Sequence, residues 1–519
     1  MSDRSRGGAL APALTRTVCI AILGYAAGYV ALYPPTFSIL DEQAYLAFAD
    51  LIAHGTVYAE DAGTTPARTW RVDEHRVPRT PLGTSMLLAP LARWWWRGSF
   101  AVMGALHVVA VLAFAAAARR LGLSPGYAVV LLLHPVAVLY ARTAMSDVPS
   151  MALSALALSM YVAPQLGPRR GPLLAGSALG AMLHFRFGDA VVVGGVLAAS
   201  LARELASAAR ERRVAADARS ARARERGTHP APRTMMLAIG TLPGVISALA
   251  VNTALYGGPL DLPLTWPLSV THLPSNLAFY LVALDVALPG GLLLGLAYPS
   301  PVRVEAAVAG AAALLLYGCF AFVYAGYGAA AWVIGARFFL PVLPWLLVGY
   351  VFAARDLCAL VSRKLGARAA TALGAVAVLG LATAALAISV VHQRELSRQA
   401  DVQQRVYGAT RRGALIVVNP NAREYLLDSI GERRAVPSTA LFGPSGALRG
   451  EAKVQIDAAI PDAFALTVVR DDRPDPSRER AEAAIELLRT RYALDEVFAI
   501  ERPPHVATLH RIAALRPTR

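Results

Sequence analysis

The chain has 519 residues, 56% of them hydrophobic and 16% charged, with a mean hydropathy of +0.46. A soluble domain of this size needs more polar residues to cover its surface, so the composition excludes one and predicts a polytopic α-helical membrane protein. The formal net charge of +15, from 50 Lys and Arg against 35 Asp and Glu, is concentrated in loops and reads as attraction to anionic lipid rather than to nucleic acid. The first apolar run, residues 17–33, follows Arg4, Arg6 and Arg16. A cleaved signal ahead of soluble sequence is excluded, because about ten similar runs come after it. Residues 34–99 then form a long outer loop. It opens on LDEQAYLAFADLIAHG, where Tyr45, Phe48, Ala49 and Ile52 share one helical face and Gly55 is a stop signal. Further on, residues 81–96 carry Pro90 and end in Trp94, Trp95 and Trp96. That segment is too short to span and predicts an interfacial helix. Further apolar runs cover residues 100–118, 127–140, 148–163, 173–185, 189–201, 235–256, 277–298, 304–324, 338–353 and 370–391. With the first, they predict about eleven transmembrane helices, each satisfying its own backbone as lipid demands.

From residue 392 the composition changes and no further span follows. ALIVVNP, ALTVVRD, VFAIERP and HVATLHRI have the pattern of strands, while AREYLLDSI and RERAEAAIELLRTRY have that of helices. The expected organisation is therefore a transmembrane domain over 1–391 and a small α/β domain over 392–519. The latter has no Gly-rich phosphate loop, no Cys/His metal spacing and no GxSxG elbow. Three scattered cysteines, Cys19, Cys319 and Cys358, offer neither a disulfide framework nor a CxxC site.

Orientation follows from the basic loops. Arg119 with Arg120, Arg169 with Arg170, Arg303, the stretch 355–368 and above all residues 203–233 are assigned to the cytoplasm. The last holds nine arginines against four acids. Alternating crossings then put the N-terminus in the cytoplasm, and the loop of Asp41, Asp147, Arg186, Arg337 and the C-terminal domain outside, as expected of a multi-pass plasma (inner) membrane protein.

The outer face thereby collects acids and arginines. Asp41 and Glu42 stand in the first turn of the predicted outer helix, where the helix dipole alone favours carboxylates. His75, Arg76 and Arg79 close the same loop, Asp147 ends the third span, Arg186 interrupts an apolar region and Arg337 opens the tenth span. Charges near the bilayer centre are costly, so such residues face a cavity, pair with one another or snorkel to the interface. Gathered on one side, they point to an anionic substrate and a base. For Asp147 three roles stay open: orienting an acceptor, helping Asp41 and Glu42 hold a divalent metal ion, or capping the fourth span ahead of Pro149. Asn252 and Asp285 are lesser signals, the latter expected to find a polar partner between helices.

The order of these motifs resembles the GT-C superfamily of membrane glycosyltransferases, in particular the aminoarabinose transferases of lipid A and the protein O-mannosyltransferases. The resemblance rests on LDEQAYLAFADLIAHGTVY, RTPLGTSMLLAPL, SDVPSMALSALAL, HFRFGD, NTALYGGPLDLPL and ARFFLPVLP, in that order over roughly the first 350 residues. It implies a polyprenyl-phosphate-linked sugar as donor and transfer of a hexosyl or pentosyl group to an acceptor outside the membrane: a glycolipid, a polysaccharide or a protein. Asp41 would be the base, with Glu42 assisting, and the reaction would invert the anomeric carbon. Arg76, Arg79, Arg186 and Arg337 are the candidates for the lipid phosphate, with His75 and Asp147 nearby in role. The family often has a Lys directly before the proline of its second segment. Here Thr80 holds that place and Arg79 precedes it, so Arg76 and Arg79 stay alternatives. Metal dependence varies within the superfamily and is left open. Two rivals come from other classes: a transporter or flippase of a lipid-linked or anionic substrate, for which an inverted repeat is missing, and a noncatalytic assembly factor, for which the acidic pair would be dispensable.

Overall fold

A computed structural model describes residues 7–60, 69–72, 74–217, 233–262, 267–320, 335–419, 433–441, 448–470, 483, 485–502 and 505–514. The chain divides into two compact units, one of residues 1–33 and 100–390, the other of 34–99 and 391–519. The first is a helical bundle. It contains α1 (Gly7–Ala31), α4 (Gly98–Arg120), α5 (Val129–Leu132), α6 (Pro135–Tyr140), α7 (Asp147–Tyr161), α8 (Gly167–Met182) and α9 (Asp189–Asp217). After these come α10 (Arg233–Tyr256), α11 (Leu273–Ala287), α12 (Gly291–Ala297), α13 (Arg303–Gly318), α14 (Leu343–Leu365) and the apolar start of α15 (Ala367–Ala409).

Every apolar run of the sequence is the seat of helix, but the lengths differ from the expectation. Among the described residues five helices are long and apolar enough to cross a membrane: α4, residues 189–210 of α9, α10, α14 and α15. A sixth is added if α11 and α12 count as one broken span, bent by 102°. The run 127–140 is divided because Pro135, at the first position of α6, has no N–H to continue the preceding helix. Helices α7, α8 and α13 have only 15, 16 and 16 residues. Such lengths rise about 24 Å, less than the ~30 Å hydrocarbon core. Most of α7 is buried among other helices, so it needs no lipid-facing length of its own. Asp285 finds its partner locally: its Oδ1 accepts from the Leu292 N–H at 3.3 Å, capping α12 across the bend.

Helices α8 and α10 cross at backbone contact. Gly176 and Gly180 on α8 face Gly240 and Gly244 on α10. A Cβ on Gly176 would overlap the Leu237 carbonyl, one on Gly240 the Leu173 carbonyl, and one on Gly244 the backbone of Gly180. The two backbones therefore touch through paired small-xxx-small patterns, GSALG and GTLPG, where dispersion between main chains replaces a hydrophobic drive that lipid does not supply.

The second unit has two parts. In the first, α2 (Leu40–Ala53) packs on α3 (Gly83–Trp95) beside a three-stranded antiparallel sheet of β1 (Ala59–Glu60), β2 (Thr69–Val72) and β3 (His75–Pro78), in the order β1-β3-β2. Helix α2 ends where expected, at Gly55 with φ of 84°. The 13 residues of α3 rise about 20 Å and cannot span, in keeping with an interfacial helix. Its Trp94 and Trp95 are exposed. The small sheet is not visible in the sequence pattern.

The other part is a five-stranded sheet ordered β5-β4-β6-β8-β7, from β4 (Leu415–Val418), β5 (Arg434–Pro437), β6 (Ala463–Arg470), β7 (Tyr492–Arg502) and β8 (His505–Ala514). Strand β4 runs parallel to both β5 and β6, while β8 is antiparallel to β6 and β7. Interior β4 is apolar throughout, as a strand covered on both faces must be. Val402 and Val406, on the polar continuation of α15, pack against Ile416 and Val418 on one face. On the other, Ala452 and Ile456 of α16 (Gly450–Ala459) pack on Leu415 and Val417. The helix expected over AREYLLDSI lies outside the described residues.

The glycine crossing yields a test. Gly240→Ala and Gly176→Ala should each destabilise the detergent-solubilised protein by about 1–3 kcal/mol, because backbone cannot give way as a side chain can. Gly194→Ala, where nothing lies within 4 Å of the added methyl, should leave the thermal unfolding midpoint unchanged.

Candidate active site

The bundle brings three of the sequence-predicted residues into one neighbourhood. Asp147 opens α7 with its side chain almost fully buried. Its Oδ1 accepts from Nη1 of Arg186 at 2.7 Å, an ion pair with side-chain exposures of 2% and 10%. That exposure decides its strength: water screens it little, so each charge depends on the other. Asp147 also stands in the first turn of α7, where its carboxylate suits the helix N-terminus. Arg186, in the turn between α8 and α9, also donates from Nη2 to the Tyr317 hydroxyl at 3.3 Å. Its guanidinium lies 5.4 Å from the Phe338 ring centre and 5.9 Å from that of Tyr317. Arg337 approaches the same Phe338 ring at 5.0 Å and Tyr140 at 5.9 Å. Two arginines thus share one aromatic ring, and Tyr317 stacks on that ring at 4.7 Å. Gly188 is required beside them, because a Cβ there would overlap the Tyr317 hydroxyl.

One member of this group escapes sequence reasoning. Asp189, the first residue of α9 and 0% exposed, has Ser150 and Arg186 as its polar neighbours. Neither of its carboxylate oxygens completes a hydrogen bond among the described residues. Its signal was present in HFRFGD, three residues after Arg186, where a second charge on an apolar segment asks for a reason. Tyr317 carried no signal, since an aromatic residue in a span is ordinary. The assembled group holds two carboxylates, two guanidiniums, a phenol and a serine in a setting shielded from water. It can bind an anion through the arginines while the acids hold them in place.

The remaining candidates lie in the second unit. Asp41 sits half-buried in the first turn of α2. Glu42, fully buried, accepts at Oε2 from the Ser38 N–H, from the Ser38 hydroxyl at 2.8 Å and from the Ile39 N–H at 3.4 Å. Three donors on one carboxylate oxygen make Glu42 the brace of the α2 N-terminus, which in turn fixes the backbone that carries Asp41. On β3, His75 and Arg76 point to opposite faces of the strand. His75 is exposed and lies against Tyr58, with ring centres 5.0 Å apart. Arg79 donates from Nε to the Thr69 carbonyl at 2.8 Å and lies over Trp70 at 5.5 Å, tying the β2–β3 hairpin together. Asn252 donates to the Pro259 carbonyl at 3.3 Å within its own loop. Among the described residues no three His, Cys, Asp or Glu side chains gather to hold a metal ion, so the geometry adds nothing to the metal reading of Asp41, Glu42 and Asp147.

No family model and no curated protein matches the sequence. Among solved structures, ArnT from Cupriavidus metallidurans in the apo state aligns with a TM-score of 0.58 at 13% identity, over 97% of this chain and 98% of that one. The fold is GT-C. ArnT from Cupriavidus metallidurans bound to undecaprenyl phosphate aligns with a TM-score of 0.53 at 12% identity, over 95% and 97% of the two chains. That fold thus extends over both units of this multi-pass membrane protein.

The buried pair can be tested by its asymmetry. Arg186→Gln removes the cation that faces both Asp147 and Asp189, and should cost about 3–5 kcal/mol of stability. Asp147→Asn leaves Arg186 with Asp189 beside it and should cost less. Thermal unfolding of the purified variants orders the two, and an equal loss would mean that Asp189 does not share the guanidinium.

Proposed function

We propose that this protein is a membrane glycosyltransferase that takes a sugar from a polyprenyl-phosphate donor and delivers it to an acceptor outside the membrane. Supporting this reading above all is the water-shielded group of Arg186, Arg337, Asp147 and Asp189 in a bundle of GT-C fold. Undecaprenyl phosphate is named as the ligand of ArnT, and a lipid phosphate is the anion such arginines suit. In the proposed topology the eleven apolar runs cross the membrane in alternation, with the shorter ones enclosed by protein, the N-terminus in the cytoplasm and residues 392–519 as an extracytoplasmic α/β domain.

The chemistry is a single in-line displacement. The acceptor hydroxyl oxygen attacks the anomeric carbon, the bond from that carbon to the phosphate oxygen breaks, and the hydroxyl proton passes to the Asp41 carboxylate. Configuration at the carbon inverts. The donor phosphodiester carries one negative charge, and the departing phosphate monoester gains a second. Arg186 and Arg337 favour that gain, so they stabilise the transition state more than the bound donor. Tyr317 and Asp147 hold Arg186 in register, and Asp189 adds the field that keeps it in place. Glu42 serves as the brace that positions Asp41. From the loop, Arg76 and Arg79 stay alternatives for the phosphate.

Asp41→Asn should lower transfer from polyprenyl-phosphate sugars by about 10²–10⁴-fold while leaving the folded protein intact. Transfer at the parent rate would remove Asp41 as the base. Arg337→Gln should weaken binding of polyprenyl phosphate by about tenfold or more, the loss of one charge-assisted contact, as read by ligand-induced thermal stabilisation. Single cysteines placed in residues 218–232 should react with an impermeant maleimide only after cells are opened, and labelling of intact cells would reverse the topology.

A further inference from the structure

A second collection of arginines lies at the opposite end of the same bundle. Helix α7 carries Asp147 at its start and Tyr161 at its end, about 21 Å apart along the axis. Around Tyr161 opens a cavity of about 390 Å³ lined by Arg120, Arg203 and Arg233 among prolines and other apolar residues. Arg120 is the last residue of the span α4, and Arg233 the first of the span α10. Both therefore stand at the level where spans end and lipid headgroups begin.

These arginines are not merely snorkelling outward, because each is held by the protein. Arg120 Nη1 donates to the Ser159 hydroxyl at 2.6 Å and to the Ser159 carbonyl. Arg233 Nη2 donates to the Tyr161 carbonyl, and its guanidinium lies 4.2 Å from the Tyr161 ring centre. Arg203 Nη1 donates to Oε1 of Glu305 at 2.7 Å and to the Pro301 carbonyl at 2.8 Å. Glu305 is 0% exposed and also accepts from the Tyr161 hydroxyl at 2.6 Å. A buried carboxylate and three backbone carbonyls thus orient these guanidiniums, and the Gln165 side-chain oxygen accepts from Nε and Nη2 of Arg120 at 2.8 and 3.0 Å. Arg119, Arg169 and Arg170 stand exposed at the same end. The carboxylates there, Glu204 and Glu305, are already engaged, Glu204 by the Thr234 N–H at 2.9 Å. The charge balance at this end is positive, and the fixed donors converge on one cavity.

We propose that this cavity binds the phosphate of an anionic membrane lipid from the leaflet at that end of the bundle, separately from the donor site. The apolar rim of Pro164, Pro172, Pro301 and Val302 suits the glycerol and upper acyl chain, and the arginines suit the phosphodiester. A soluble phosphate would use the same donors and gain nothing from the rim.

The full-length protein in neutral detergent is titrated with phosphatidylglycerol, with phosphatidylcholine and with inorganic phosphate, following the unfolding temperature and lipid adducts by native mass spectrometry. Phosphatidylglycerol is expected to stabilise and to remain bound, and the other two are not. Arg233→Gln should weaken that binding about five-fold, the share of one arginine near a membrane surface. The paired change Arg203→Gln with Glu305→Gln should do the same without stranding a buried charge. Arg337→Gln, at the other end, should leave phosphatidylglycerol binding unaltered. Equal stabilisation by inorganic phosphate overturns the lipid assignment. Equal binding of phosphatidylcholine, parent affinity in both cavity variants, or loss of binding in Arg337→Gln instead, each overturns the site.

Discussion

The bundle depends on one constraint: a charge taken out of water must meet its compensation where it is buried. Arg186 meets Asp147 at 2.7 Å, and Glu305 meets Arg203 at the same distance at the other end. Neither pair is a simple gain in stability, because burying Asp147, Arg186 and Glu305 costs nearly what the attraction returns. What each pair supplies is position. A guanidinium anchored by a buried carboxylate has few alternative rotamers, and its plane is held in a defined direction. The aromatic rings of Phe338 and Tyr317 add a second restraint on Arg186, and at the other end the Tyr161 ring lies under the neighbouring Arg233.

Such restraints require rigid supports. The bundle supplies them through backbone contact at Gly176, Gly180, Gly240 and Gly244, which joins α8 to α10, the two helices next to the turn of Arg186 and the start of Arg233. Gly188 plays the local counterpart, leaving room for the hydroxyl that Arg186 grips. In the second unit the same logic uses hydrogen bonds instead of glycine. Glu42 gathers the free donors at the start of α2 and thereby sets the backbone of Asp41. Chemistry proposed for one residue is prepared by the neighbour beside it.

Several parts of this arrangement were legible in the chain. Apolar runs mark every bundle helix, since lipid exposure and a 3.6-residue period leave a composition that needs no tertiary information. The helix of Tyr45 and Phe48, the short segment before Trp95 and the strands at Leu415 and Ala463 follow from the same patterns. Crossing lengths were less legible. The runs at Pro135 and between Ala287 and Gly291 look continuous in hydropathy, yet one lacks a backbone donor and the other turns by 102°. Glycine pairs such as Gly176 with Gly240 are also silent, because GxxxG states a small surface without naming what lies against it.

The sequence by itself determined that the protein inhabits a membrane, where its helices lie, and that Asp147, Arg186 and Arg337 are exceptional charges in apolar surroundings. These follow from composition and period, which are local. Only the tertiary structure decided which charge answers which. It paired Asp147 with Arg186, brought Asp189 and Tyr317 to them, turned Glu42 into a helix brace and Arg79 into a hairpin tie, and set Glu305 beneath a second group of arginines. The physical reason is range. A hydrogen bond or a buried ion pair acts over about 3 Å, and residues 39 or 131 positions apart in the chain come within that distance only through the packing of helices.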